Sequence, residues 1–328
     1  MEMVKMCLRY LLFDEPPQGV DRPLLKYAAS HWINHFIRGE EHIVEDAQAL
    51  VLEFFKDSAK VRTAFQAMSG TDSSSWRDMT GLHAAIYFNG RPWVEQLIKE
   101  GVKIDAACSD GRTALHWAAN FGRRDLVELL IQHSADTDIR DWNGDTPLHV
   151  AVTPSTMNCE DVVRKLVQGH ARLDIRGGKG FTPLTWAIRY GPSSVASILA
   201  ENQADVNAED DQRWTSLREA MDQGQDRIIN ILLKKGADLN RPSSDGWTLL
   251  RHAVQTGNKL MVGRLLNRSA DVNLRDTDGY SPLIWAVLYK HTSIVQLLIE
   301  KAADVNAKAK DGSTPLIEAV KSREKTAI

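Results

Sequence analysis

Cysteine is scarce in this chain of 328 residues, with copies only at Cys7, Cys108 and Cys159. Their odd number and the lack of CxxC spacing argue against a disulfide framework and against a cysteine-built zinc site. They read as reduced thiols of a cytoplasmic or nuclear protein. An excess of positive charge is lacking too: 40 Lys and Arg stand against 43 Asp and Glu, a net charge of -3. Nucleic-acid binding draws on concentrated cations that displace counterions, so the charge gives no reason to expect it. No apolar run reaches the length of a membrane span. The start carries a short apolar patch, an early Asp14-Glu15 pair and no cleavage region of a signal peptide. The sequon at Asn267 therefore reads as a repeat-end turn rather than a glycosylation site. Neither a phosphate loop (GxxxxGK followed by Ser or Thr) nor a nucleophile elbow occurs. The sequence thus offers no catalytic residue, no cofactor site and no metal site.

What the chain does have is a period. Thr-Pro-Leu-His, or a worn copy of it, recurs with its first residue at Thr80, Thr113, Thr146, Thr182, Thr215, Thr248, Ser281 and Thr314. Every step is 33 residues except the third, which is 36. Self-similarity at such an interval marks a solenoid. Each unit of a solenoid touches only its neighbours, and a long surface takes the place of a single reaction centre.

The best-formed copy starts at Asp110. Gly111 allows a tight turn, and Thr113 caps a helix with Ala114 at the position that suits proline. Ala118 and Ala119 keep two helices close, Gly122 ends the first, and Leu126, Val127, Leu129, Leu130 and Ile131 give the second its apolar face. Thr146-Pro147-Leu148-His149, Thr182-Pro183-Leu184, Ser281-Pro282-Leu283 and Thr314-Pro315-Leu316 repeat the opening. Ala204-Asp205-Val206-Asn207, Ala237-Asp238-Leu239-Asn240, Ala270-Asp271-Val272-Asn273 and Ala303-Asp304-Val305-Asn306 repeat the ending. On these residues the chain resembles an ankyrin-repeat protein. The resemblance implies an all-α solenoid of helix-turn-helix repeats with short β-hairpin fingers, about eight repeats over residues 78–328, the last incomplete.

It also implies a structural role for the motif histidine, which ties neighbouring loops together. That residue is kept at His83, His116 and His149 and replaced by Thr185, Arg218, Arg251, Ile284 and Ile317. The extra residues of the third copy fall within Thr153–Asn158, where a loop should bulge. The fifth copy is the most polar, and the charged stretch from Glu318 to Lys325 is expected to face water as a cap.

Residues 1–68 lack the period and read as a helical domain, with helices over 3–13, 23–37, 44–55 and 57–68. A polar linker over 69–77 follows. Cys7-Leu8-Arg9-Tyr10-Leu11-Leu12-Phe13-Asp14 and Leu25-Lys26-Tyr27-Ala28-Ala29-Ser30-His31-Trp32, with His35, resemble the helical adaptor before the array in fungal NACHT–ankyrin signalling proteins. The adaptor and the array carry over; nucleotide hydrolysis does not, and the resemblance implies a chain that begins inside a domain. His31 and His35 share a helical face but have no convincing third ligand, so packing is the expected role.

In the Asp-x-x-Gly-x-Thr finger the residue before the threonine is expected to point outward. That column reads Met79, Arg112, Asp145, Phe181, Trp214, Trp247, Tyr280 and Ser313. Packed repeats lie on the order of 10 Å apart, so Phe181, Trp214, Trp247 and Tyr280 would line up as an aromatic strip. Two roles stay open for them: a partner-binding strip, or shielding of the turn. A second column, Trp117, Trp186 and Trp285, is expected between helices. Phe121, Tyr190 and Tyr289 extend the candidate surface from the ends of the first helices, beside Arg112 and Asp145.

These observations lead to a non-catalytic scaffold or regulatory protein that binds a protein partner on fingers and inner helices, one form being a transcriptional coregulator. The alternative is an accessory or decoy of a NACHT-type receptor. An enzyme with an unrecognised site is the third class, and a deep polar pocket near residues 60–90 would favour it.

Overall fold

The computed structural model describes residues 45–69, 78–153, 156, 158–211, 213–243 and 246–324, together with Cys7, Leu11 and Ala28. Those three are helical and buried. The remainder of the expected helices 3–13 and 23–37, the pair His31 and His35, and linker residues 70–77 lie outside the described residues. The chain forms two compact units, residues 1–205 and 206–328. Seventeen α-helices make up the described part.

In the first unit α1 (Glu45–Lys56) and α2 (Ser58–Ser69) precede four helix pairs. These are α3 (Gly81–Tyr87) with α4 (Arg91–Lys99), α5 (Ala114–Asn120) with α6 (Arg124–Gln132), α7 (Pro147–Ala151) with α8 (Cys159–Gln168), and α9 (Pro183–Tyr190) with α10 (Ser193–Glu201). The second unit holds α11 (Ser216–Asp222) with α12 (Asp226–Lys234), α13 (Leu249–Gln255) with α14 (Lys259–Leu266), α15 (Pro282–Leu288) with α16 (Thr292–Glu300), and α17 (Pro315–Glu324). Among the described residues no helix is long and apolar enough to cross a membrane.

From the fourth copy on, each first helix starts at the motif threonine or serine for one local reason. The hydroxyl accepts a backbone N–H three residues on, as Thr182 does from Thr185 (3.3 Å), Thr215 from Arg218 (3.3 Å) and Thr248 from Arg251 (3.1 Å). The fingers are tighter than the expected hairpins. Among the described residues they hold isolated bridges only, Ala107 with Thr113 and Glu209 with Thr215, in place of strands. A recurring bond closes each finger: Asp141 N–H to Asp145 O (2.9 Å), Asp210 N–H to Trp214 O (3.0 Å), Asp276 N–H to Tyr280 O (3.1 Å).

Repeat ends are stitched by the last residue of the Ala-Asp-Val-Asn element. Asn207, Asn240 and Asn273 each accept, through Oδ1, the backbone N–H found 31 residues on, at Asp238 (2.7 Å), Asp271 (2.8 Å) and Asp304 (2.8 Å). The third copy bulges where expected. Seven residues separate α7 from α8, and the hydroxyls of Thr153 and Thr156 bond each other (2.9 Å) and the Val150 carbonyl (3.1 and 3.3 Å).

The end of the chain departs from expectation. Glu318 turns inward, buried, with its carboxylate accepting from Ser313 Oγ (3.0 Å) and Lys321 Nζ (2.7 Å). Leu316, Ile317 and Val320 of α17 face outward instead. A helix of this length can satisfy a buried carboxylate locally, and the apolar residues then occupy the opposite side.

The motif histidines bridge fingers in the first unit as the resemblance implied. Nε2 of His83 donates to the Arg112 carbonyl (3.0 Å), that of His116 to Asp145 (3.1 Å) and that of His149 to Phe181 (3.1 Å). Nδ1 meanwhile accepts from the threonine three residues back, as His83 does from Thr80 N–H (3.3 Å). The threonine hydroxyl also lies against Nδ1, at 2.8 Å for Thr80 and His83. Burial pushes the His83 ring down to about 4, and lowers His116 and His149 as well.

The sign of the pH effect follows. An unfolded histidine takes its proton near pH 6.5, whereas folded His83 takes it near 4. Stability is therefore complete above about pH 6.5 and falls as pH drops toward 4, by at most about 1.4 kcal/mol per pH unit for one such group. Urea unfolding at pH 7 and pH 5 should show this loss, and His83→Gln should reduce it. A variant with the same slope as wild type would remove His83 as the source.

Candidate functional site

The aromatic column of the second unit is built together with two arginines. Arg218 and Arg251 stand where the first three copies carry histidine, and each reaches the next finger as the histidine does. Nη1 of Arg218 donates to Ser243 Oγ (3.3 Å), and that of Arg251 lies 3.1 Å from Asp276 Oδ2. Because guanidinium is planar and weakly hydrated, it also stacks on the tryptophans that flank it. The Arg218 guanidinium carbon lies 4.2 Å from the Trp214 ring centre and 5.4 Å from that of Trp247. That of Arg251 lies 4.2 Å from Trp247 and 4.4 Å from Trp285. Indole and guanidinium thus alternate in the order Trp214, Arg218, Trp247, Arg251, Trp285.

Further rings extend this ladder. Trp285 packs against Tyr280 (5.2 Å) and stacks on Tyr289 (5.7 Å), which in turn stacks on His291 (6.0 Å). Carboxylates hold the order in place. Asp276 accepts from Trp285 Nε1 (2.8 Å) and from the backbone N–H of Asp278 and Tyr280 (3.0 and 2.8 Å). Asp222 Oδ1 lies 2.8 Å from His252 Nε2. The Tyr280 hydroxyl donates to Asp311 Oδ2 (2.6 Å), a bond that raises the phenol and lowers the carboxyl from their usual ranges. Trp214, Trp247, Tyr280 and Trp285 are all half-buried, while Tyr289 is 40% exposed.

In the first unit the column behaves differently, and the outward-pointing expectation fails at several positions. Met79 and Phe181 are buried. Phe181 follows a short turn, Gly178–Gly180, that draws its ring inward under Arg189 (4.8 Å) and against Trp186 (5.8 Å). In the second unit Ser313 is likewise buried. Arg112 and Asp145 brace fingers: Arg112 Nε sits 3.1 Å from the buried Asp141 carboxylate, and Asp145 Oδ1 accepts from Gly178 N–H (2.9 Å). Phe121 closes an aromatic cluster with Tyr87 (5.6 Å) and Trp117 (5.7 Å); Trp117 is buried as its column predicts, whereas Trp186 and Trp285 of that column are half-buried. Tyr190, packed on Trp186 at 4.9 Å, remains 43% exposed.

Sequence reasoning missed Trp142, the most exposed large apolar residue described at 77%. Its indole N–H donates to Ser109 O (2.6 Å) across the neighbouring finger. The available signal was its place directly after Asp141 in the Asp-x-x-Gly turn, the apex of the finger.

Near residues 60–90 the structure has a cavity of about 260 Å³ lined chiefly by Phe55, Leu82, Leu97, Val102 and Ala106, with Lys56 and Lys103. Ser58, Thr80 and the two lysines are its polar groups, and among the described residues its lining includes no carboxylate, histidine or thiol. Among the described residues no group of three His, Cys, Asp or Glu side chains is placed to hold a metal. Burial, helped by Asp110, pushes the Cys108 thiol up to about 12, which makes it a poor nucleophile.

A search of curated proteins finds no match to the chain. A family model described as ankyrin repeats (three copies) matches residues 82–176, 155–243, 220–309 and 250–328. These segments run without a gap from residue 82 to residue 328 and cover the repeating register of capped helix and finger found above, so the chain belongs to the ankyrin-repeat family.

Proposed function

We propose that this is a non-catalytic interaction module whose protein partner seats on the aromatic and arginine ladder between Trp214 and His291. Ankyrin repeats point to protein–protein interaction as the general role. The observation that carries the specific reading is the alternation of half-exposed indoles with clamped guanidinium groups. Tryptophan, tyrosine and arginine dominate binding hot spots because they bring large contact area at low entropic cost. Stacking fixes them before a partner arrives, which lowers that cost further.

The same rings also shield the turns, and one experiment separates the two roles. Partners captured with the intact chain are identified by mass spectrometry, and capture is repeated with Trp214→Ala/Trp247→Ala. Recovery should fall at least about tenfold, on the order of 1.4 kcal/mol, with the circular dichroism spectrum unchanged. Tyr289→Ala, at an exposed ring, should weaken capture without touching the ladder's interior. Full recovery by both folded variants would sink the reading.

Two finer forms follow from it. A coregulator role rests on the net charge of -3, which leaves protein contacts as the route to a promoter; a strictly cytosolic pool would count against it. A role as accessory to a NACHT-type receptor rests on the phrases at residues 7–14 and 25–35. Co-purification that survives deletion of residues 1–77 would argue against that role.

A further inference from the structure

Charge in the second unit sorts by element. Helices α12, α14 and α16 with their flanking turns, residues 224–237, 257–270 and 290–303, hold eight Lys and Arg against two carboxylates, Asp226 and Glu300. The matching stretches of the first unit, 89–102, 122–135, 158–171 and 191–204, hold six against seven. A solvated helix face mixes both signs, as the first unit does. The surplus is confined to these three copies. Both carboxylates are already engaged: Asp226 Oδ1 lies 2.6 Å from Arg264 Nη1, and Glu300 Oε1 accepts from Gln296 Nε2 (3.1 Å). Among the described residues Arg227, Lys234, Lys259, Arg268 and Lys290 are exposed and make no side-chain hydrogen bond or ion pair. Asp238, Asp271 and Asp304 follow the helices but turn to their own loops. There Oδ1 accepts the N–H of Asn240, Asn273 and Asn306 (2.9 Å each), and Asp304 also faces Arg275 (3.9 Å). Helix C-termini favour cations, yet the row of Lys235, Arg268 and Lys301 reads Glu100, His133, Gly169 and Asn202 in the first unit. Capping alone therefore does not call for the surplus.

The three helices make one surface. The Arg264–Asp226 pair joins α14 to α12, and Lys301 Nζ donates to Asn267 Oδ1 (2.8 Å) between α16 and the end of α14. Register sets Lys235, Arg268 and Lys301 in a row, about 10 Å from copy to copy. Leu260 and Ile299 of the same helices are 65% and 50% exposed. We propose that this face docks an acidic segment of a protein partner, one that carries apolar residues between its carboxylates. The five free cations attract and orient such a segment. Leu260 and Ile299 offer it apolar contacts that a phosphate backbone does not use, which favours a peptide over a nucleic acid. The face includes no ring of the ladder, so it stands or falls apart from the proposed function.

Fluorescence anisotropy of a short labelled glutamate peptide interrupted by leucines, titrated with the intact chain, tests this. Binding should fall in the micromolar range and weaken as salt is raised. Lys234→Glu/Arg268→Glu, at exposed sites, should weaken it at least about tenfold with the helical spectrum unchanged. Arg124→Glu/Arg164→Glu makes the same change of charge at exposed sites of α6 and α8 and should leave binding as in wild type. Trp214→Ala/Trp247→Ala should leave it so too. A glutamate peptide that does not bind would overturn the proposal. So would equal binding by the two charge-reversed variants, or duplex DNA or phosphatidylserine vesicles that bind through Lys234 and Arg268 more tightly than the peptide does.

Discussion

Replacing Arg251 by alanine is expected to destabilise the 206–328 unit by about 3 kcal/mol. The side chain is 13% exposed and serves three partners at once: the Trp247 ring, the Trp285 ring and the Asp276 carboxylate. A desolvated guanidinium–aromatic contact contributes about 1–2 kcal/mol, and breaking a buried ion pair costs about 3–5 kcal/mol because one charge is left behind. Here the lower end applies. Asp276 keeps three other donors, the Trp285 indole and two backbone N–H groups, so its carboxylate is not stranded. Arg251→Lys should recover only part of the loss, since an ammonium cannot lie flat between two rings. Urea unfolding followed by tryptophan fluorescence reads both effects. An alanine variant within about 0.5 kcal/mol of wild type, the range of an ordinary surface change, would show that the ladder does not hold this unit together.

The case of Arg251 shows what the sequence disclosed and what it did not. The period located every first helix, because each start depends on a local bond of the motif Thr or Ser with the residue three on, its backbone N–H in the later copies and the histidine ring in the first three. The histidine bridges were legible for the same reason: one residue type performs one local task. Arg218 and Arg251 registered only as lost histidines, since each stacks between a ring four residues back and one 29 or 34 residues on, and the second depends on the finger between them. Column reasoning placed Trp214, Trp247 and Tyr280 correctly in register. It misjudged Phe181, because exposure depends on the glycine-rich turn before it as well as on the register. Glu318 fails similarly: charge on paper became a buried carboxylate once Ser313 and Lys321 supplied its bonds.

Gly81→Ala is expected to weaken the first unit by about 3 kcal/mol or more, at the upper end for inserting a single methyl group. The residue after the motif threonine is Ala114, Pro147, Pro183, Ser216, Leu249, Pro282 or Pro315 in the other copies, each with a β-carbon. At position 81 a β-carbon would lie 1.6 Å from the Phe55 carbonyl oxygen, 2.4 Å from its carbon and 2.9 Å from its Cα. Backbone cannot swing aside as a side chain would, so α1 must move away from α3. That movement would pull Phe55 out of its contacts with Phe88 (6.4 Å) and Trp93 (5.6 Å), and strain the Lys56–Glu100 pair (2.9 Å). The helices α1 and α2 lack the 33-residue period, yet they cover the first repeat as a preceding repeat would. Glycine at 81 is what allows that approach. Limited trypsin digestion should then cut faster at Lys56, Lys60 and Arg62 in the variant than in wild type. Gly224→Ala is the control: its φ of +66° is strained for alanine but nothing lies within 4 Å, so it should cost only about 1 kcal/mol. A loss at Gly81→Ala no larger than that of the control would mean that α1 is not seated against position 81, since Gly81 itself has no left-handed φ to strain.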